Sequence, residues 1–187
     1  MATKPTFSQE ISNMLYATHG NPIKSCIQCG TCSGTCPVAD FMDHSPRRLI
    51  GLINANQKEE VLTSNTYWFC ASCYYCNVRC PSGIDIADVM YAVKRYSIWK
   101  NQYKEGLIGP TFSETFVKTV QRNGRSYEPL VTMPYLFSSS MRDILKEAQT
   151  ATSLMLKGRV PVIPERIDRI ENFKRVINRI IPTGGAS

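Results

Sequence analysis

The chain has 187 residues, an apolar content of 43%, a formal net charge of +7 and eight cysteines. That length holds one domain, or one small domain and an extension. No run approaches the roughly 20 apolar residues of a membrane-spanning helix, and Met1 to Phe7 has no apolar signal-peptide core, so a soluble, cytoplasmic protein with reduced thiols is expected.

In chain order, Thr6 and Gln9 fit a capping box, and Phe7, Ile11, Met14, Leu15 and Thr18 fall on one helical face that Gly20 would end. Asn21-Pro22 opens a cysteine loop, Cys26, Cys29, Cys32 and Cys36, closed by Pro37. Ser45-Pro46 reads as an N-cap with proline at the first helical position. Leu49, Ile50, Ile53 and Gln57 continue that helix, which Lys58 to Leu62 extends or restarts. A second loop follows, Cys70, Cys73, Cys76 and Cys80, closed by Pro81. Asp85 is a good N-cap for a helix reaching about Tyr103, with Ile86, Val89, Met90, Val93 and Ser97 on one face. Tyr67, Trp68, Phe69, Tyr74, Tyr75, Ile27 and Ile84 flank the cysteines and are expected to form a dry shell around them.

Gly106 to Pro110 reads as a boundary. Beyond it, Phe112, Phe116 and Val120 lie at helical spacing up to Asn123-Gly124, and Met141 to Lys157 is a helix stopped by Gly158. Val160 to Pro164 must be extended. A last helix from near Glu165 carries Ile167, Ile170, Phe173, Ile177 and Ile180 as its apolar stripe. It can pack on its own chain or dock on a partner.

The two cysteine loops are copies of one pattern, each cysteine recurring 44 positions later. The spacing is the bacterial-type spacing for a pair of [4Fe–4S] clusters. In two-cluster ferredoxins the fourth cysteine of each run ligates the other cluster. Carried onto this chain, one cluster takes Cys26, Cys29, Cys32 and Cys80, and the other takes Cys70, Cys73, Cys76 and Cys36. Zinc sites need neither the third cysteine nor the Cys-Pro ending. A disulfide framework needs a secreted protein. A thioredoxin-type motif occurs in single copy beside a strand pattern that is absent here.

Residues 1–100 carry 9 Lys/Arg and 7 Asp/Glu, and residues 101–187 carry 13 and 8. Each oxidised cluster with four thiolates contributes about −2, so the first part becomes negative while the tail stays basic. No basic-aromatic patch or known module accompanies the tail, so a protein partner or a solvated face is expected rather than nucleic acid. His19 and His44 have no triad around them, and no catalytic residue is expected on this chain.

The double motif with its helical linker resembles the α-helical ferredoxin fold. Cys26-Ile27-Gln28-Cys29-Gly30-Thr31-Cys32-Ser33-Gly34-Thr35-Cys36-Pro37, Pro46-Arg47-Arg48, Cys80-Pro81-Ser82-Gly83-Ile84-Asp85-Ile86 and Lys157-Gly158-Arg159-Val160-Pro161-Val162-Ile163-Pro164 resemble the iron–sulfur C subunits of CoB–CoM heterodisulfide reductases. The resemblance implies an all-α fold: an α-helical dicluster ferredoxin domain over 1–105 and a helical, basic extension over 106–187 for packing or subunit docking. It implies electron relay through two [4Fe–4S] clusters, from a flavin/iron–sulfur subunit to a cysteine-rich catalytic subunit that reduces the CoM-S-S-CoB heterodisulfide of methanogenesis. A hydrogenase or formate dehydrogenase would join the larger assembly.

Other readings compete. The chain could serve another anaerobic oxidoreductase acting on glycerol-3-phosphate, glycolate, fumarate or a sulfur-cycle substrate. A freely diffusing ferredoxin would not need the long basic extension. A DNA-associated protein would bind DNA with a steep salt dependence.

Overall fold

The computed structural model describes residues 5–15, 22–132, 141–159 and 164–180. Among them the regular elements are helical and no strand occurs. The chain divides into two compact units, Met1–Leu107 and Ile108–Ser187.

The first unit begins with α1 (Phe7–Ser12). Its capping box is formed: the Gln9 amide donates to the Thr6 hydroxyl at 3.4 Å, and the Thr6 amide donates to Gln9 Oε1 at 2.9 Å. The helix is shorter than its apolar stripe suggests. Met14 and Leu15 already bond back three residues, to the carbonyls of Ile11 and Ser12, which tightens and ends the last turn. Thr18, His19 and Gly20 lie outside the described residues.

Short helices then frame the cysteine loops: α2 (Thr31–Gly34), α3 (Pro46–Asn54), α4 (Lys58–Leu62), α5 (Thr66–Phe69), α6 (Tyr75–Val78) and the long α7 (Ile86–Lys100). The α3 stripe stops at Asn54, and α4 is a restart, because Asn56 takes a left-handed conformation at φ 57° between them. Asn101 does the same at φ 49° and ends α7 before Tyr103. The Gln102 amide then donates to the Ser97 carbonyl, as in a Schellman-type stop.

The core draws on several helices. Leu49, Ile50 and Ile53 of α3 and Val89, Met90, Val93 and Tyr96 of α7 are buried in one cluster with Ile11, Ile23, Val61, Leu62 and Tyr67. A double clasp fixes the segment after the first cysteine loop to the one before the second. The amides of Asp43 and Asn65 each donate to the other's side chain, at 2.7 and 2.9 Å. The His44 amide donates to Thr66 Oγ1, whose hydroxyl donates back to the His44 carbonyl, both at 2.9 Å. Lys104 completes the clasp by binding Asp43 at 3.0 Å, and these donors hold the Asp43 carboxyl below its ordinary value.

The sequence repeat becomes a backbone repeat. Helices α2 and α6 start 44 residues apart. Gln28 and Gly30 in the first loop have φ of 57° and 84°, and Ser72 and Tyr74, at the same offset in the second, have 54° and 60°. Turns of this kind aim successive amides inward as a nest for anionic atoms. Glycine suits that conformation in the first loop, whereas Tyr74 bears the cost of a Cβ in the second.

The second unit holds α8 (Ile108–Asn123), α9 (Met141–Leu156) and α10 (Ile170–Ile180). On α8, Phe112 and Phe116 stack on each other on an exposed face, while Thr119 and Asn123 are buried. Gly124 turns left-handed at φ 80°, leaving room for the Ile167 side chain. Helix α10 starts later than Glu165. The Ile167 amide is used by the Asn123 carbonyl at 3.0 Å, Glu165 pairs with Arg125, and Arg169 sits at φ 57°. Val160 to Ile163 lie outside the described residues.

Truncating Ile53, which has no exposed surface, to alanine should cost about 2–5 kcal/mol, read from chemical unfolding of the whole chain. Tyr74→Gly should raise the unfolding free energy and Gly30→Ala lower it, each by about 1 kcal/mol. A loss of stability in Tyr74→Gly, or none in Gly30→Ala, would contradict the backbone repeat.

Candidate metal centre

The left-handed turns carry the cysteine side chains to two hollows. The first, of about 370 Å³ including open space at its mouth, is lined by Cys26, Cys29, Cys32 and Cys80. The second, of about 390 Å³ on the same measure, is lined by Cys36, Cys70, Cys73 and Cys76. All eight cysteines are free thiols. Each hollow therefore gathers three cysteines from one loop and the last cysteine of the other. Ile86, the first residue of α7, lines both.

The thiols feel one another mostly within these sets, though Cys76 also feels Cys32 of the other. Burial pushes the Cys76 thiol up to about 11, with the charges of Cys70 and Cys73 adding to it. Cys36 is raised by burial first, and it too feels Cys70 and Cys73. Cys32 is raised by burial and feels Cys26 and Cys29. Cys29, at the surface, is lowered because the Thr31 hydroxyl and then the Thr31 amide donate to its sulfur.

The surrounding helices are tied to the loops from outside. Ser45 occupies the N-cap position of α3, yet its own hydroxyl makes no capping bond. Ser33, next to Cys32, accepts the Arg47 amide instead, at 2.9 Å. Asn77, next to Cys76, accepts the Ala87 amide in the first turn of α7, also at 2.9 Å. Asp85 caps α7 through the Asp88 amide at 2.9 Å and also receives the Asn77 amide group. Sequence reasoning placed both caps but missed Ser33 and Asn77. Their recurrence directly after the third cysteine of each loop was the available signal.

The flanking aromatics only partly form the expected shell. Tyr67 and Ile84 are buried, but Ile27 is 67% exposed and Tyr75 60%, with Phe69 and Tyr74 also exposed. The same loop turns that point the cysteines inward leave the residues between them pointing out. His44 packs against Glu60, 3.5 Å away.

The donor set fits [4Fe–4S] clusters. Each hollow offers four thiols and is lined by no histidine or carboxylate. Among the described residues, no group of three or more His, Cys, Asp or Glu side chains is gathered for a single metal ion. No helix among the described residues is long and apolar enough to cross a membrane.

Comparison with known proteins agrees with this chemistry. Residues 22–84 match the 4Fe-4S dicluster domain family, and such a domain carries two [4Fe–4S] clusters. The chain is 36% identical over 87 residues to the C subunit of the H2:CoB-CoM heterodisulfide, ferredoxin reductase of Methanothermobacter marburgensis, covering 46% of this chain and 47% of the relative. It is 37% identical over 93 residues to the C subunit of the ferredoxin:CoB-CoM heterodisulfide reductase of Methanosarcina mazei, covering 50% and 56%. It is 30% identical over 100 residues to the iron–sulfur C subunit of the CoB-CoM heterodisulfide reductase of Methanopyrus kandleri, covering 51% and 52%. The chain thus spans about half the length of the curated relatives it matches. Residues 22–84 are a 4Fe–4S dicluster domain in an all-helical frame, and the chain that carries it is similar to the iron–sulfur C subunits of CoB–CoM heterodisulfide reductases.

Proposed function

We propose that this chain is the electron-relay subunit of a heterodisulfide reductase complex. In this reading Cys26, Cys29, Cys32 and Cys80 hold one [4Fe–4S] cluster, and Cys70, Cys73, Cys76 and Cys36 hold the other. The observation that carries it is the pair of four-cysteine hollows with Ile86 as a common wall. When bound, each cluster supplies a one-electron couple. The chain's own residues do the rest: the thiolates bind, Ile50, Ile84, Ile86 and Met90 exclude water, and the nested loop amides offset negative charge. With every cysteine in these two sets, none is left to cleave a disulfide substrate.

The partners follow from the similarity. Electrons would arrive from a flavin/iron–sulfur subunit. They would leave to a cysteine-rich catalytic one, where the mixed disulfide of coenzymes M and B is reduced. Relatives named for hydrogen, or for hydrogen and formate, support a hydrogenase or formate dehydrogenase upstream. The extension over 106–187 serves packing or subunit docking, and the complex works in the cytoplasm. A second reading rests on the extent of the match, which covers about half of the chain. The same relay could serve a different anaerobic oxidoreductase, because the substrate is read on another chain.

Purification of the native complex without oxygen should bring down a flavoprotein and a cysteine-rich subunit, with heterodisulfide reduction in the same fractions. Other companions would remove the heterodisulfide assignment and leave the relay. The full chain should contain about eight iron and eight sulfide. Cys36→Ser should alter the spectrum of the cluster held by Cys70, Cys73 and Cys76. If it alters that of the Cys26 loop instead, the crossed ligation is wrong.

A further inference from the structure

The two cysteine loops agree in backbone and disagree in what they offer to sulfur. In the first loop, Gln28 Nε2 donates to Cys26 Sγ at 3.3 Å, and the Thr31 hydroxyl lies 3.4 Å from Cys29 Sγ. The Ser33 hydroxyl, whose oxygen accepts the Arg47 amide, favours charge on the neighbouring Cys32 sulfur. The Ile84 amide donates to Cys80 Sγ at 3.4 Å. Three of the four sulfurs of the first hollow, those of Cys26, Cys29 and Cys80, thus have a hydrogen-bond partner.

At the same offset of 44, the second loop has Ser72, Tyr75 and Asn77. Ser72 is engaged with the Tyr91 hydroxyl at 2.6 Å. Tyr75 is exposed and makes no bond to sulfur among those described. Asn77 turns its carbonyl oxygen, an acceptor, toward Cys76 at 3.5 Å. Backbone amides favour charge on two sulfurs here, that of Val38 on Cys36 and that of Cys76 on its own thiol. Cations do not separate the sites: Arg47 borders the first hollow, and Lys94 feels the charge of Cys70 in the second. Exposure does not separate them either, since each has one exposed cysteine, Cys29 and Cys73.

Hydrogen bonds to cluster sulfur stabilise the more negative, reduced state and raise the potential. We propose that Gln28 and Thr31 are positioning residues that make the first hollow the higher-potential site, so that electrons enter at the Cys36, Cys70, Cys73 and Cys76 set and leave from the Cys26, Cys29, Cys32 and Cys80 set. The proposal rests on the cluster-relay reading above. One electron comes from an external one-electron reductant, which is oxidised. It crosses the Ile86 wall and leaves to an external one-electron oxidant, which is reduced. No proton or covalent bond moves on this chain.

The test is a redox titration of the full chain carrying both clusters, followed by electron paramagnetic resonance. A Cys29→Ser variant marks the first site, because Cys29 belongs to that loop whichever fourth cysteine is used. The first electron taken up should give the signal that Cys29→Ser changes. Thr31→Val and Gln28→Leu, read separately, should each lower the reduced-to-oxidised ratio of that couple about tenfold at a fixed potential, about 59 mV for one electron. The other couple should stay in place. If the first electron appears at the Cys73 site, or if both variants leave the upper couple unmoved, the proposal is overturned. Failure of the crossed ligation would appear separately, as Cys36→Ser changing the signal marked by Cys29→Ser. Failure of the cluster reading itself would appear as a chain without iron.

Discussion

Four thiolates cannot share a small hollow unless positive charge sits among them. That constraint governs the first unit. Without metal, burial and the neighbouring sulfurs push Cys76 up to about 11, so that thiol stays protonated. Iron replaces thiol protons with charge, and metal binding is thereby coupled to proton release and to folding. The fold is arranged for the negative state that results. No carboxylate lines either hollow. The first turns of α3 and α7, represented by Pro46, Arg47, Ile86 and Ala87, border them, and a helix N-terminus favours a nearby anion.

Holding those helices at the hollows requires caps that do not compete with the cysteines. Ser33 and Asn77 meet this need by capping from the cysteine loops themselves. Each fixes its loop to a helix in one bond, so loop shape and helix position become a single structural variable. The clasp of Asp43 and His44 with Asn65 and Thr66 does the equivalent on the opposite side of the linker. The hydrophobic core, with Leu49 and Ile53 of α3 and Val89 and Val93 of α7, then only has to gather the helices into one cluster.

Much of this was legible in the sequence because it is local. The capping box at Thr6, the cap at Asp85, the proline start at Pro46 and the stops at Gly124 and Gly158 depend on residues a few positions apart. The cysteine spacing likewise gives the cofactor chemistry. What escaped is non-local or conformational. Ser45 has the right identity for a cap, but the tertiary partner Ser33 takes its role. The aromatics beside the cysteines have the composition of a shell, but alternation along a tight loop turns Tyr74 and Tyr75 outward. The late start of α10 reflects contacts of Glu165 and Ile167 with Arg125 and Asn123, some 40 residues away. Left-handed Gln28, Ser72 and Tyr74 defy residue preference, as strained backbone at a functional site does.

Identical cluster chemistry requires an identical backbone, and the 44-residue repeat supplies it. A relay has the opposite requirement. If both sites offered the same donors to sulfur, an electron would rest equally on either, and the chain would conduct without preference for direction. Any bias must come from positions where the repeat is broken. Those positions are Gln28 against Ser72, Thr31 against Tyr75 and Ser33 against Asn77, each facing or flanking a sulfur while leaving the turn unchanged. The backbone can therefore remain symmetric for ligation while the side chains make the two sites unequal. Separating the two tasks this way lets a substitution adjust where the electron rests without disturbing the cage that holds it.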